Sequence, residues 1–172
     1  PQLLSPDCYR STEQFDAERA RLMHTAWHCV GVIDELPRDG SFRTLDLLGN
    51  PIVLWRQASE VQAYLNVCAH RSCLVTSQAC GTAERLKCQY HGWEFDQAGN
   101  VRKIPDARSF RPLAPGMLGL KRYRAATCGR LVFVNLSDSP VDLRSFLGEK
   151  FATLESWFTD GLHLAVSCDR EI

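Results

Sequence analysis

Two short pairs of metal-ligating side chains constrain this chain more than anything else in it. The first is Cys68-Ala69-His70-Arg71 and the second is Cys88-Gln89-Tyr90-His91, with sixteen residues between Arg71 and Cys88. Thiolate and imidazole are soft and borderline ligands, suited to zinc or to iron–sulfur clusters. One pair on each of two loops can pinch a metal group between them, so the fold must bring two loops to one point. A mononuclear zinc site is the competing metal reading. Zinc fingers, however, pair Cys with Cys and His with His, as C-x2–4-C then H-x3–5-H, and the mixed pairs here depart from that pattern. The bland reading, two buried cysteines beside two incidental histidines, requires both pairs to arise by chance.

If each loop gives one Cys and one His, the two cysteines can hold one iron and the two histidines the other. That is the ligand set of a Rieske [2Fe–2S] centre, in which two His replace two Cys on one iron. Neutral imidazoles in place of anionic thiolates lower the net negative charge and make reduction easier. Rieske potentials lie at roughly −150 to +300 mV, against about −400 mV for plant-type ferredoxins. The gap of at least about 250 mV is about four decades in a one-electron equilibrium constant. Cys68, His70, Cys88 and His91 are thus the candidate cluster ligands, and one-electron transfer is the chemistry they predict.

The sequence around the pairs is patterned as short strands. Trp27–Ile33, Ser41–Leu47, Ile52–Arg56 and Val61–Val67 precede the first pair, with turn signals at Arg38-Asp39-Gly40 and Gly49-Asn50-Pro51. Trp93–Phe95, Val101–Ile104, Leu120–Ala126 and Leu131–Leu136 follow the second, and residues 105–118, with Pro105, Pro112, Pro115 and Gly116, read as a loop. Ser11, with Gln14 as its capping-box partner, opens a predicted helix to about Ala26. A second helix is predicted after Pro140, with an apolar stripe of Leu143, Phe146, Leu147, Phe151, Leu154 and Phe158, and Leu162–Val166 is predicted as a strand. The expected fold class is all-β: an antiparallel β-sandwich with a small cluster-binding subdomain, flanked by an N-terminal and a C-terminal helix. The predicted organisation is a lead-in, helix and first strand over 1–37, a cluster-binding domain over 38–137 with its subdomain at about 66–105, and a helix and strand over 138–172.

At 172 residues the chain can bury a core without disulfide staples. Eight cysteines could form disulfides in a secreted protein, but two of them sit in a pattern that wants thiolates. Cys8, Cys29, Cys80, Cys128 and Cys168 have no ligand spacing and are expected to be buried small apolar residues. Twenty basic and twenty acidic residues cancel, so no basic excess suggests nucleic acid. No apolar run reaches the roughly 18 residues that span a bilayer. No signal peptide is visible, and the expected location is cytoplasmic, although the chain opens on Pro1 and its true start is expected upstream.

With these residues in place, the chain resembles the N-terminal part of the large (alpha) subunit of Rieske non-haem iron oxygenases, the ring-hydroxylating family. Ala63-Tyr64-Leu65-Asn66-Val67 is similar to that family's approach strand. Gln89-Tyr90-His91-Gly92-Trp93-Glu94-Phe95-Asp96, with Gly99 and Ile104-Pro105, is similar to its second cluster loop and exit strand. Gly129-Arg130-Leu131-Val132-Phe133-Val134-Asn135 is similar to a later family strand. The resemblance covers nearly the whole chain. It implies that a ferredoxin or flavin reductase delivers electrons to the cluster. The cluster then serves a mononuclear Fe(II) that uses O2 to hydroxylate an aromatic or other small organic substrate, as in aromatic hydrocarbon catabolism. It also implies a trimer-based homo-oligomer for the full-length parent.

Two departures matter. The family carries Gly after the C-x-H-R arginine, where this chain has Ser72 and then Cys73. Gly adopts angles that Ser avoids. Cys73 stands where respiratory-complex Rieske proteins carry a cysteine that bridges the two loops, but the partner position here is Tyr90, so that bridge cannot form. The second departure is that the chain ends at Ile172, about where the family's catalytic domain would begin. No mononuclear iron ligand is assigned, and His24, His28 and His163 are read as ordinary strand or surface residues. The chain is expected to be a fragment of an oxidoreductase, passing electrons and oxygenating nothing by itself. A free-standing Rieske ferredoxin is the alternative, and a zinc-bound interaction domain a third. Arg71, Tyr90 and Trp93 are candidate neighbours of the cluster, Trp93 either shielding it or serving as plain core.

Overall fold

The computed structural model describes residues 4–110 and 118–159. The predicted strand at Leu162–Val166, His163, Cys168 and half of the proline-rich 105–118 loop lie outside them. Ten strands dominate: β1 Trp27–Val32, β2 Ser41–Leu47, β3 Asn50–Gln57, β4 Glu60–Leu65, β5 Cys80–Thr82, β6 Arg85–Lys87, β7 Glu94–Asp96, β8 Val101–Lys103, β9 Arg122–Cys128 and β10 Leu131–Asn135. They form a curled seven-stranded sheet in the order β1-β10-β9-β4-β3-β2-β5 and a three-stranded sheet β6-β7-β8. Every strand pair is antiparallel. The all-β expectation therefore holds.

Side-chain alternation along each strand explains how one sheet serves three cores. On β3, Ile52 and Leu54 enter a core with Val61, Ala63, Val132 and Val134, inside the curl. Val53 and Trp55 point the other way, into a core shared with Tyr64, Cys68, Cys88, Trp93 and Phe95. Residues 52–55 are therefore buried on both faces, which is why they read as an unbroken apolar run rather than an alternating one. On β10, Phe133 turns outward to meet Trp27, Cys128, Leu143 and Phe151 under the C-terminal helices.

The helices depart from expectation in detail. Ser11 caps α1, Thr12–Glu18, by accepting the Gln14 N–H at 3.1 Å. The Gln14 side chain reaches forward to Glu18 at 2.8 Å instead of back to the cap, so the capping box is only half made. The helix then continues as a wider π turn, Arg19–Met23. The C-terminal helix is two helices, α2 Leu143–Leu147 and α3 Lys150–Trp157. Gly148, at φ 54°, takes a backbone angle that a helix cannot continue through. The Phe158 carbonyl accepts the Arg130 N–H at 2.7 Å, tying the end of α3 to the β9–β10 turn. No helix among the described residues is long and apolar enough to cross a membrane.

The strands β5 and β6 were not foreseen. Each has three residues, and Leu86 is the single buried apolar side chain between them, too little to register as a pattern. They matter because they carry the chain from the first ligand loop to the second. The expectation that the non-ligand cysteines are buried fails for three of them: Cys8, Cys29 and Cys80 are exposed, and Cys128 alone among the described ones is buried. Cys8 belongs to an N-terminal 3-10 turn with no buried residue, and Cys80 to the sheet's edge strand β5.

Candidate metal centre

The two ligand loops are the same hairpin loop made twice. The first runs from Cys68 to Cys73 and is closed by the antiparallel bridge Val67–Leu74. The second runs from Cys88 to Trp93 and is closed by the pair Lys87–Glu94 at the ends of β6 and β7. Inside the first, the Cys68 N–H donates to the Cys73 carbonyl at 2.8 Å and the Ser72 N–H to the Cys68 carbonyl at 3.0 Å. Inside the second, the Cys88 N–H donates to the Trp93 carbonyl at 2.8 Å and the Gly92 N–H to the Cys88 carbonyl at 2.9 Å. The fifth residue of each loop takes a left-handed conformation, Ser72 at φ 53° and Gly92 at φ 70°. Ser72 thus keeps the backbone that glycine would give, at a cost of about 1 kcal/mol.

Both loops stand on locked supports. Below the first, the buried Asn66 side chain donates to the Thr76 carbonyl at 2.8 Å and accepts the Thr76 N–H at 3.1 Å, standing in for a pair of ladder bonds. Below the second, the Tyr64 hydroxyl donates to the Gln97 carbonyl at 2.8 Å. A Cβ on Gly99 would lie 2.5 Å from the Tyr64 ring, so the β7–β8 turn can pack onto β4 only with glycine there. Glu94 on β7 is flanked by Arg85 on β6 and Lys103 on β8, each at 3.4 Å.

These supports bring the predicted ligands together as two pairs, the Cys68 and Cys88 sulfurs within 4.8 Å of each other and the His70 and His91 rings in edge contact. Cys68 and Cys88 are each 1% exposed, at the base of the site. His70, half-buried, and His91, exposed, form the rim, with ring centroids 4.6 Å apart and planes at 66°. Burial pushes the Cys68 thiol up to about 11, opposed by the backbone N–H of His70. At Cys88 burial also pushes upward, but the Tyr90 N–H, the Cys73 thiol and the His91 N–H outweigh it and hold that thiol below the ordinary range. Loss of water contact, then the His91 ring and the Arg71 charge, lower the proton affinity of His70 and so favour its neutral, ligating form.

The three candidate neighbours take different places. Trp93 is 1% exposed and stacks on the His70 ring at 5.1 Å and 2°, so it is core and neighbour of a candidate ligand at once. Tyr90 is 62% exposed, its ring 3.8 Å from that of His91. Arg71 is exposed. Sequence reasoning did not find Asn66 as the first loop's lock; an amide between Leu65 and Val67-Cys68 was the available signal. It also did not find that the Cys73 Sγ lies 3.4 Å from the Cys88 Sγ. The Sγ atoms of Cys68, Cys73 and Cys88 all lie within 4.8 Å of one another.

Two buried sulfurs opposed by two rim imidazoles, with main-chain N–H groups aimed at the sulfurs, make a donor set that fits a [2Fe–2S] cluster with mixed ligation. Such loops on a curled antiparallel sheet define a Rieske-type protein. The chain belongs to the Rieske [2Fe–2S] domain family, whose sequence model matches residues 26–124. It is similar to the hydroxylase alpha subunit of methanesulfonate monooxygenase from Methylosulfonomonas methylovora, 34% identical over 159 residues, covering 85% of this chain and 38% of that subunit. It is 30% identical to the alpha subunit of benzene 1,2-dioxygenase from Pseudomonas putida, covering 85% of this chain and 33% of that subunit. The crystal structure of a naphthalene 1,2-dioxygenase superposes with a TM-score of 0.76 at 26% identity, over 83% of this chain and 33% of that one. A quaternary ammonium Rieske monooxygenase shares the fold, with a TM-score of 0.81. The chain spans between a third and two-fifths of the length of these alpha subunits.

Proposed function

We propose that this chain is the electron-entry domain of a Rieske non-haem iron oxygenase. One observation carries the reading: two buried thiols and two rim imidazoles, offered by a pair of equivalent loops, in a chain whose named relatives are oxygenase alpha subunits. Cys68 and Cys88 would hold one iron of the cluster, and His70 and His91 the other. The bound cluster supplies reversible one-electron transfer. The residues do the rest. The neutral imidazoles keep the ligand set less anionic than four thiolates, which raises the potential. Main-chain N–H groups of His70, Tyr90 and His91 draw charge from the sulfurs. His91 is exposed and would put its side of a bound cluster nearest the surface, while the buried Trp93 covers one face of the His70 ring.

In this reading a cytoplasmic ferredoxin or flavin reductase is the donor. The acceptor is a mononuclear iron in a catalytic domain beyond Ile172, the parent is a trimer-based oligomer, and its substrate is an aromatic or other small organic molecule. The relatives' names favour this over a free ferredoxin. The test is EPR of the dithionite-reduced protein, with iron and sulfide assayed on the same sample. A rhombic signal with the low average g of mixed His/Cys ligation, two irons and two sulfides is the expected result. Bound zinc with no sulfide and no signal overturns it.

A further inference from the structure

Cys73 is not one of the four ligands, yet its sulfur touches one. Its Sγ lies 3.4 Å from the Cys88 Sγ, and it is part-buried against the core that holds both ligand cysteines. The contact is not a chance rotamer of a surface side chain. The Cys73 carbonyl closes the first loop by accepting the Cys68 N–H, so the main chain fixes the residue in register with the ligand it follows. Trp93 occupies the same closing position in the second loop and leans across to the first loop's His70. Each loop's last residue thus braces a ligand of the opposite loop, one with a ring and the other with a thiol.

The direction of the thiol contact follows from charge. A cysteine bound to iron is a thiolate and can only accept. A neutral thiol has one proton to give. We propose that the Cys73 thiol donates a hydrogen bond to the Cys88 sulfur and thereby raises the reduction potential of the centre, as a positioning residue and not a ligand. The inference rests on the Rieske reading above. Adding one electron puts one more negative charge on the cluster and its sulfurs, so a donor at a ligand sulfur stabilises the reduced state more than the oxidised one. With the Tyr90 and His91 N–H groups directed at the same atom, Cys88 is the more heavily bonded of the two thiolates. Thiols are weak donors, which sets the size of the effect: about threefold to tenfold in the one-electron equilibrium constant, or about 30 to 60 mV.

The test is a redox titration of the cluster-loaded protein, followed by EPR, for the parent sequence and for Cys73→Val, Cys73→Ala and Cys73→Ser. Valine matches the thiol in size without a donor, and serine restores a donor. The potential is expected to fall in the valine and alanine variants and to return toward the parent value in serine. Pulsed EPR of the reduced parent in D2O is expected to reveal an exchangeable proton coupled to the cluster that the valine variant lacks. Equal potentials in all four proteins overturn the proposal, as does a serine variant that falls as far as valine. Failure of all three variants to assemble a cluster also overturns it, since Cys73 would then be needed for assembly. A parent protein that never shows the mixed-ligand signal refutes the Rieske reading itself, and the EPR spectrum separates that failure from the others.

Discussion

The two ligand loops share a backbone and almost nothing else. Both are closed by an antiparallel pair, carry the same two internal hydrogen bonds and have a left-handed fifth residue. Their side chains diverge. Histidine is third in one and fourth in the other. The left-handed residue is Ser72 in one and Gly92 in the other, and the closing residue is Cys73 in one and Trp93 in the other. The thiols they present are shifted in opposite directions, Cys68 up and Cys88 down. The shared turn therefore sets where the loops stand, and what differs between the two thiols is their burial and the N–H groups and neighbouring thiols directed at them.

Removing ligands tests the first half of that statement. His70→Ala and His91→Ala are each expected to abolish the cluster, read as loss of the red-brown chromophore and of acid-labile sulfide. If one of them keeps a full complement of sulfide, the two loops do not contribute equally. Thiol chemistry tests the second half. In cluster-free protein near neutral pH, a haloacetamide is expected to modify Cys88 well before Cys68. A thiol at about 11 carries roughly a hundredfold less thiolate than one at its ordinary value near 9. The gap is expected to narrow as the pH is raised toward 11, as peptide mapping would reveal. Equal rates at neutral pH would mean the loops hold their sulfurs in equivalent environments.

Packing differs next. Trp93→Ala is expected to cost about 3 to 5 kcal/mol in thermal unfolding, because it empties a fully buried position and unstacks His70. The fifth positions give the smallest contrast, with opposite signs. Gly92→Ala is expected to cost about 1 kcal/mol, and Ser72→Gly to stabilise by up to about 1 kcal/mol by relieving the left-handed serine. A stabilised Gly92→Ala variant would show that the two turns are not the same in solution.

Much of this was legible in the sequence, for reasons that differ by region. The strand Ser41–Leu47 was read with its observed bounds because Gly40 and Gly49 punctuate it. The apolar run from Ile52 was read as a strand, Ile52–Arg56, which the structure extends to Asn50–Gln57. The four candidate ligands could be picked out because a metal group demands particular residue types at short spacing. What escaped was either short or long-range. Strands β5 and β6 have too few residues to carry a period. Gly148 was passed over because the apolar stripe continues through it, although its φ of 54° divides the helix. The contacts of Cys73 with Cys88 and of Trp93 with His70 join separate loops, and only the register of the strands beneath them decides that they meet.

A loop closed by its own main chain has an engineering consequence. The hydrogen bonds that shape the turn come from peptide groups, and only its fifth position asks for a special residue. Ala69, Gln89 and the placement of the histidines are then open to exchange without rebuilding the turn. Such a turn is a portable cassette. Two copies grafted onto the neighbouring hairpins of another antiparallel sheet, at matched height and with a polar lock such as the Asn66–Thr76 pair beneath one of them, would carry the geometry of a metal-binding pair into a host that never had one.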